Sequence, residues 1–543
     1  MFALADPRRP CESVLPRSQI GVQVQPALVL RRQLDVAVST RALKNTMSRV
    51  FGVDNFRPGQ EEVVRAVLSG RDTLALMPTG AGKSLCYQLP GLHLKGTTVV
   101  VSPLIALMKD QTDKLDSLGI DASQVNSGLT KAEADEALAR ARNGAEFVLT
   151  TPERLASDPE FVDTLKRNTV DRFVVDEAHC VSRWGHDFRP AFQELKAVIE
   201  RLGHPPVLAL TATATPEVVQ DIVASLGMRA AQVINTGIFR ANLRFEVVQA
   251  PNEGDKRRQL ADILRTTDGI GIVYTATIKQ VEALHADLSA SGFEVARYHG
   301  RVGLRERRDN QERFMRGELK AIVATNAFGM GIDKPDIRFV VHYAIPGSPD
   351  AYYQEAGRAG RDGEASRCVI LFDARDRRTH AYFIAGRYRG VRKRLAAKGL
   401  DGARFDQAMR AHEERRRSDE KKLEQMLLYA QSPACRWRFL LDYFDDPAAR
   451  DDFRCGTCDA CRHPPEWQIA RPETATVFPR PADSPLPRPE RHRRPPLRLG
   501  QRVDVPVYGE GEIKRIDGDK VEVAFADGER RKFKQTFLGE TSV

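Results

Sequence analysis

Residues 72–90 read DTLALMPTGAGKSLCYQLP. An apolar run ending at Met77 meets a loop containing Thr79, Gly80, Gly82, Lys83 and Ser84, and a helical pattern follows from Leu85. Glycines there let backbone N–H groups close around phosphates. Lys83 reaches the β- and γ-phosphates, and Ser84 offers a hydroxyl to Mg²⁺. Strand, glycine loop and helix in that order specify a nucleotide-binding α/β unit. The strict spacing G-x-x-x-x-G-K-[ST] fails at its first glycine, where Met77 stands, so the stretch alone also fits a Gly-rich turn ahead of a helix.

The same alternation extends on both sides. DTLALMP, TTVVVSPL, AEFVLTTP, RFVVDEAH and PVLALTATA are nearly continuous apolar runs separated by helical patterns. Such runs are strands buried on both faces, joined by crossovers in a parallel sheet. The alternation restarts with GIGIVYTATI, EVARYHGR, KAIVATNAFGMG, IRFVVHYAIP and RCVILFD. Two α/β domains in tandem, 43–240 and 241–375, are expected. A chain of 543 residues is too long for one core. Lys and Arg exceed Asp and Glu by 83 to 73, a surplus that points to a polyanionic partner only where it is concentrated. No apolar run reaches the length of a membrane span, so no membrane association is expected. Residues 1–42 lack a secretory pattern and read as a disordered arm or a miscalled start, with Met47 the alternative first residue.

RFVVDEAH closes on Asp176 and Glu177. At the end of a buried strand, one carboxylate serves Mg²⁺ and the other orients and deprotonates the attacking water. Trp184, His186, Phe188 and Arg189 follow in VSRWGHDFRP, where a core needs none of them. Aromatic faces stack on unpaired bases and arginines hold phosphate, so an exposed DNA-facing loop is expected. Cys180 beside His179 lacks the partner base that a thiol nucleophile needs. YYQEAGRAGRDG presents Gln354, Arg358 and Arg361, and arginines set across a cleft neutralise charge growing on a γ-phosphate.

Residues 376–466 read as a helical, metal-binding subdomain. Its basic stretch, 375–422, fits either a solvated helix face or a DNA-facing surface. Cys435 precedes Cys455, Cys458 and Cys461, which are spaced C-x-x-C-x-x-C. Four thiolates suit a closed tetrahedral Zn²⁺ site of structural role, with His463 unneeded; the tight spacing also occurs in iron–sulfur proteins. Residues 467–496 are a Pro/Arg-rich linker. Residues 497–543 alternate at period two with Gly and Asp-Gly turns, a small β module.

Taken together, these motifs resemble the RecQ family of superfamily 2 DNA helicases over residues 43–466. FRPGQEEVV, MPTGAGKS, VVSPLIALMKDQ, DEAH, TATAT, ATNAFGMGIDKPDIRFVVH and QEAGRAGR follow in the family's order. The resemblance implies two RecA-like domains that bind ATP and Mg²⁺, with Arg57 and Gln60 at the adenine and Asp333 near the nucleotide. It implies an aromatic-rich loop of Trp184, His186, Phe188 and Arg189 on single-stranded DNA, with His179 coupling loop to ATP site. The CRxxxLxxYF helix before the cysteine cluster is similar to the family's zinc subdomain, which favours zinc over iron–sulfur. The implied activity is 3′ to 5′ translocation and unwinding in recombination and repair, in the cytoplasm. The implied partners are single-stranded and branched duplex DNA, with single-strand-binding or repair proteins. The competing readings are a DEAH-type RNA helicase and a translocase or annealing protein with weak unwinding. The family's winged-helix and HRDC domains have no recognisable counterpart, and the module at 497–543 resembles SH3- or Tudor-like tails instead.

Overall fold

The computed structural model describes residues 38–185, 187–329, 332–397, 402–450 and 452–464, and, in a second compact unit, 499–505, 509–517, 520–525, 530–534 and 539–540. The expected linker, residues 1–37 of the expected arm, and His186 lie outside the described residues.

Seven parallel strands form the first sheet: β1 (Thr73–Leu76), β2 (Thr97–Val101), β3 (Ala122–Val125), β4 (Phe147–Thr150), β5 (Val170–Val175), β6 (Val207–Thr211) and β7 (Gln232–Asn235). Their spatial order is β3-β4-β2-β5-β6-β1-β7. The central runs are β-branched and apolar, and all of TTVVV in β2 is buried, as a sheet covered on both faces requires. Adjacency in this order positions the site. The glycine loop leaves β1, the acid pair leaves β5, and β6 lies between them.

The second sheet is also parallel: β8 (Leu243–Gln249), β9 (Ile270–Tyr274), β10 (Val295–Tyr298), β11 (Ala321–Ala324), β12 (Ile337–His342) and β13 (Ser366–Phe372), in the order β10-β11-β9-β12-β13-β8. Ten of these thirteen strands match the apolar runs. The three that do not, β3, β7 and β8, are all edge strands.

Beyond β13 come the helices Asp376–Tyr388 and Val391–Ala397, then a long helix, Gly402–Gln431. The cysteine-bearing segment packs against edge strand β8. Trp437, fully buried, donates Nε1–H to the Leu243 carbonyl at 3.0 Å, and Asp459 Oδ2 accepts the Val247 N–H at 3.1 Å. Polar groups that an edge strand would leave open are thereby satisfied. Trp437 also meets Phe239, Phe245 and Tyr353 edge-on, and truncating so large a buried ring costs about 3–5 kcal/mol.

The second unit is an antiparallel sheet: β14 (Arg502–Val505), β15 (Gly509–Asp517), β16 (Lys520–Phe525), β17 (Arg530–Lys534) and β18 (Gly539–Glu540). Val503, Ile513, Val521, Val523 and Phe525 form its small core. The period-two pattern is that of a small antiparallel sheet, as the structure has it.

Candidate active site

The two parallel sheets meet over a cavity of about 350 Å³. From the first sheet come Arg57, Thr79, Gly80, Gly82, Lys83 and Ser84 of the glycine-loop region, then Asp176, Glu177 and His179 beyond β5. From the second come Asp333, Gln354, Arg358 and Arg361. Every residue expected at the nucleotide lines this one space except Gln60. Gly80 and Gly82 hold φ of +86° and +78°, which L-residues avoid, so the loop's path depends on them.

Arg57 and Gln60, expected at an adenine, both hydrogen-bond to carbonyls of the glycine loop. Arg57 donates to the Gly80 carbonyl. Gln60 Nε2 donates to the Ala81 and Gly82 carbonyls at 2.8 and 3.2 Å, while its Oε1 accepts the Arg57 N–H at 2.7 Å. Gln60 is buried, so these contacts hold the Ala81 and Gly82 carbonyls against a fixed side chain.

Burial first, then the neighbouring Glu177 charge, pushes the Asp176 carboxyl up to about 7; Lys83 opposes the shift. A carboxylate so crowded with negative charge suits a divalent cation, and the Ser84 hydroxyl lines the same cavity. Glu177 sits at φ +50°, a strained conformation for a non-glycine residue that directs its side chain. His179 Nδ1 lies 3.3 Å from Glu177 Oε2 and 3.1 Å from Thr211 Oγ1 at the end of β6. His179 thus joins the acid pair to the TATAT segment. Burial raises the Cys180 thiol well above its usual range, which disqualifies it as a nucleophile.

Across the cleft, Arg361 pairs with Asp333 at 2.6 Å. A Cβ on Gly80 would touch Arg361 Cγ at 3.5 Å, so the arginine of one sheet lies on the glycine loop of the other. Arg358 is buried and donates to the Gly329 carbonyl.

The four residues of the expected DNA loop part company. Trp184 is 36% exposed. Phe188 is half-buried beneath Arg415 of the long helix, whose guanidinium carbon stands 4.8 Å from the ring centre. Arg189 donates to the Pro103 carbonyl at 3.2 Å and pairs with Asp187 at 3.4 Å, so its charge is engaged within the protein. His186 lies outside the described residues. Lys422, which the sequence did not single out, donates to the Trp184 carbonyl. Only the density of basic residues in 375–422 hinted at such contacts.

The sulfurs of Cys435, Cys455, Cys458 and Cys461 all lie within 4.8 Å of one another, and Cys455 and Cys461 are 3.9 Å apart. Tetrahedral thiolates around one zinc ion stand about 3.8 Å apart. The backbone N–H groups of Cys455, Cys458 and Cys461 point at Cys435, Cys455 and Cys458 Sγ at 3.3–3.4 Å, bonds that stabilise thiolates. The set fits a single ion; an iron–sulfur cluster would spread the thiolates farther apart.

Three family models match in order: DEAD/DEAH box helicase over 57–222, helicase conserved C-terminal domain over 255–363 and RecQ zinc-binding over 375–462. The chain is 42% identical over 422 residues to the ATP-dependent DNA helicase RecQ of Bacillus subtilis, covering 77% of this chain and 66% of that one. It is 38% identical over 445 residues to the ATP-dependent DNA helicase Q5 of Rattus norvegicus, covering 78% and 44%. The chain therefore spans about two thirds of the first relative's length and less than half of the second's. Among solved structures, the fold matches a DUF1998 helicase MrfA bound to DNA (TM-score 0.53, 19% identity, 65% of this chain and 54% of that one). It also matches the helicase Lhr of Mycobacterium smegmatis bound to ssDNA and AMP-PNP (0.52, 21%, 73% and 58%).

Proposed function

The chain belongs to the RecQ family, and from that premise we propose that it is an ATP-dependent DNA helicase, moving 3′ to 5′ along single-stranded DNA and separating the duplex ahead. The observation that carries this reading is the shared cavity, where Arg361 of the second sheet rests against Gly80 of the first. A site completed only by both domains ties nucleotide turnover to their relative motion.

Glycine-loop N–H groups and Lys83 bind the phosphates. Ser84 and Asp176 would hold Mg²⁺, which screens the phosphate charge when bound. Glu177 accepts the proton of the attacking water, and Gln354, Arg358 and Arg361 stabilise charge on the γ-phosphate. His179, between Glu177 and Thr211, transmits occupancy to the loop bearing Trp184. Zinc in the four-cysteine site fixes the segment that covers β8. The substrate is single-stranded and branched duplex DNA in recombination and repair, with single-strand-binding or repair proteins as partners. No helix among the described residues is long and apolar enough to cross a membrane; the proposed place of action is the cytoplasm.

The test is strand displacement on duplexes with a 3′ or a 5′ tail, beside ATPase assays with DNA and with RNA. The 3′-tailed substrate should unwind with ATP alone among the two, and DNA should stimulate hydrolysis more than RNA. DNA-stimulated hydrolysis without unwinding of either substrate would reduce the protein to a translocase.

A further inference from the structure

Tyr382 and Phe383, neighbours on the helix Asp376–Tyr388, are 71% and 38% exposed, with ring centres 6.2 Å apart. The same helix buries Ile384, so these two rings are not its core-facing stripe. Single exposed apolar residues are ordinary. Here, though, eight Lys and Arg lie between residues 375 and 397 against one acid, Asp376, and that acid is committed to Lys256 at 2.8 Å. Arg378, Arg392 and Lys393 have no acidic partner among the described residues.

Phe383 also lines a second cavity, of about 500 Å³, at the carboxyl end of the second sheet. His342 Nδ1 and Arg358 Nε, buried and without hydrogen-bond partners among the described residues, belong to residues lining it. Asp187 of the aromatic loop and Lys422, the residue holding the Trp184 carbonyl, line it too. The cavity therefore runs from the aromatic loop to Phe383, with unspent polar atoms along the way and with Arg358, Arg387 and Lys422 beside Asp187, Glu355 and Asp419 in its wall.

We propose that Tyr382 and Phe383 form a second stacking platform for single-stranded DNA, reached through this cavity from the aromatic loop. An unpaired strand carries both chemistries the surface offers to match: bases with open π faces and a phosphate every nucleotide. A duplex hides its base faces, and an acidic protein partner would satisfy the arginines without needing paired rings beside the cavity. The inference rests on the helicase reading and extends its DNA path beyond the two parallel-sheet domains onto the helix Asp376–Tyr388.

The test measures binding of fluorescent oligo(dT) of increasing length to the full chain, by anisotropy. Wild-type affinity should rise with length once the strand spans both aromatic sites. The Tyr382→Ala/Phe383→Ala variant should bind short oligonucleotides as wild type does and long ones about tenfold more weakly, near the effect of losing one stacked base. Tyr382→Trp/Phe383→Trp should restore the length dependence, and basal ATPase should be unchanged in both. Arg392→Gln/Lys393→Gln should instead flatten the salt dependence of long-strand binding by about one or two in slope. Wild-type length dependence in the double-alanine variant overturns the platform while leaving the helicase reading intact. Absence of single-strand binding by the wild type overturns both.

Discussion

Lys422 Nζ donates a 2.6 Å hydrogen bond to the Trp184 carbonyl oxygen, across 238 residues of chain. The same ammonium stands 3.5 Å from Asp350, which also accepts from Tyr443 Oη at 2.7 Å. One side chain of the long helix thus ties the aromatic loop of the first domain to the second domain's helix Pro349–Ala356.

If Trp184 stacks on unpaired bases, Trp184→Ala should leave basal ATP hydrolysis near wild type. It should raise the single-stranded DNA needed for half-maximal stimulation by about ten- to a hundredfold, from the roughly 1–3 kcal/mol of a stacked base. Titrating DNA into a coupled ATPase assay measures both. Stimulation at the wild-type level would remove the loop from the DNA path.

Freeing the loop without touching its rings is a separate matter. Lys422→Met should raise the half-maximal DNA concentration about three- to tenfold and leave the maximal rate unchanged, because ordering a loop on binding costs roughly 1 kcal/mol. A fall in maximal rate with unaltered half-saturation would show instead that the tether acts on hydrolysis.

Arg361 reaches the glycine loop from the opposite sheet, and arginines so placed are worth about 10³-fold or more in turnover. Arg361→Ala should cut kcat by that order while a fluorescent ATP analogue still binds within about tenfold of wild type. Lost analogue binding with retained turnover would reverse the assignment.

Buried Lys256 holds Asp376 at 2.8 Å and donates to the Tyr343 carbonyl at the same distance, fixing the start of the platform helix. Lys256→Met should destabilise the protein by about 3–5 kcal/mol, because it strands a buried carboxylate. Burial already raises the Asp376 carboxyl from its ordinary range, with Lys256 opposing that shift. Without the lysine, the folded state keeps a proton that the unfolded state releases. Stability then falls as pH rises from the ordinary carboxylate range through the raised value. Thermal melting should show a larger deficit near pH 8 than near pH 5, and an equal deficit at both would exclude ionisation of Asp376 as the cause.

Zinc removal should act at a distance from the cysteines. Chelation, or Cys458→Ser, should lower the melting temperature and expose residues 432–462 to protease, since Trp437 and Asp459 anchor that segment to β8. Metal analysis should find one zinc per chain in wild type and less in the variant. Iron in its place would revive the cluster reading.

The central strands were legible because burial on both faces writes a continuous apolar run. Three of the four edge strands were not, and β7 shows why: of Gln232–Asn235 only Ile234 is buried, so the segment carries no period. That the residues lining the cavity between the two sheets belong together was legible, since phosphate chemistry restricts their type. What they rest on was not. Nothing in the spelling of Arg57 and Gln60 says that they grip carbonyls of the glycine loop. Arg415 over Phe188 and Lys422 on Trp184 are pairings across more than two hundred residues, invisible to periodicity and composition alike.

Gln354 and Arg358 line both the nucleotide cavity and the cavity leading to the exposed rings. Two ligands that share a wall answer to one coupling free energy. Whatever factor a bound nucleotide applies to the protein's affinity for the strand, the strand must apply to its affinity for that nucleotide. On the proposed reading, fuel and track are effectors of each other, and each successive nucleotide state sets its own strength of grip.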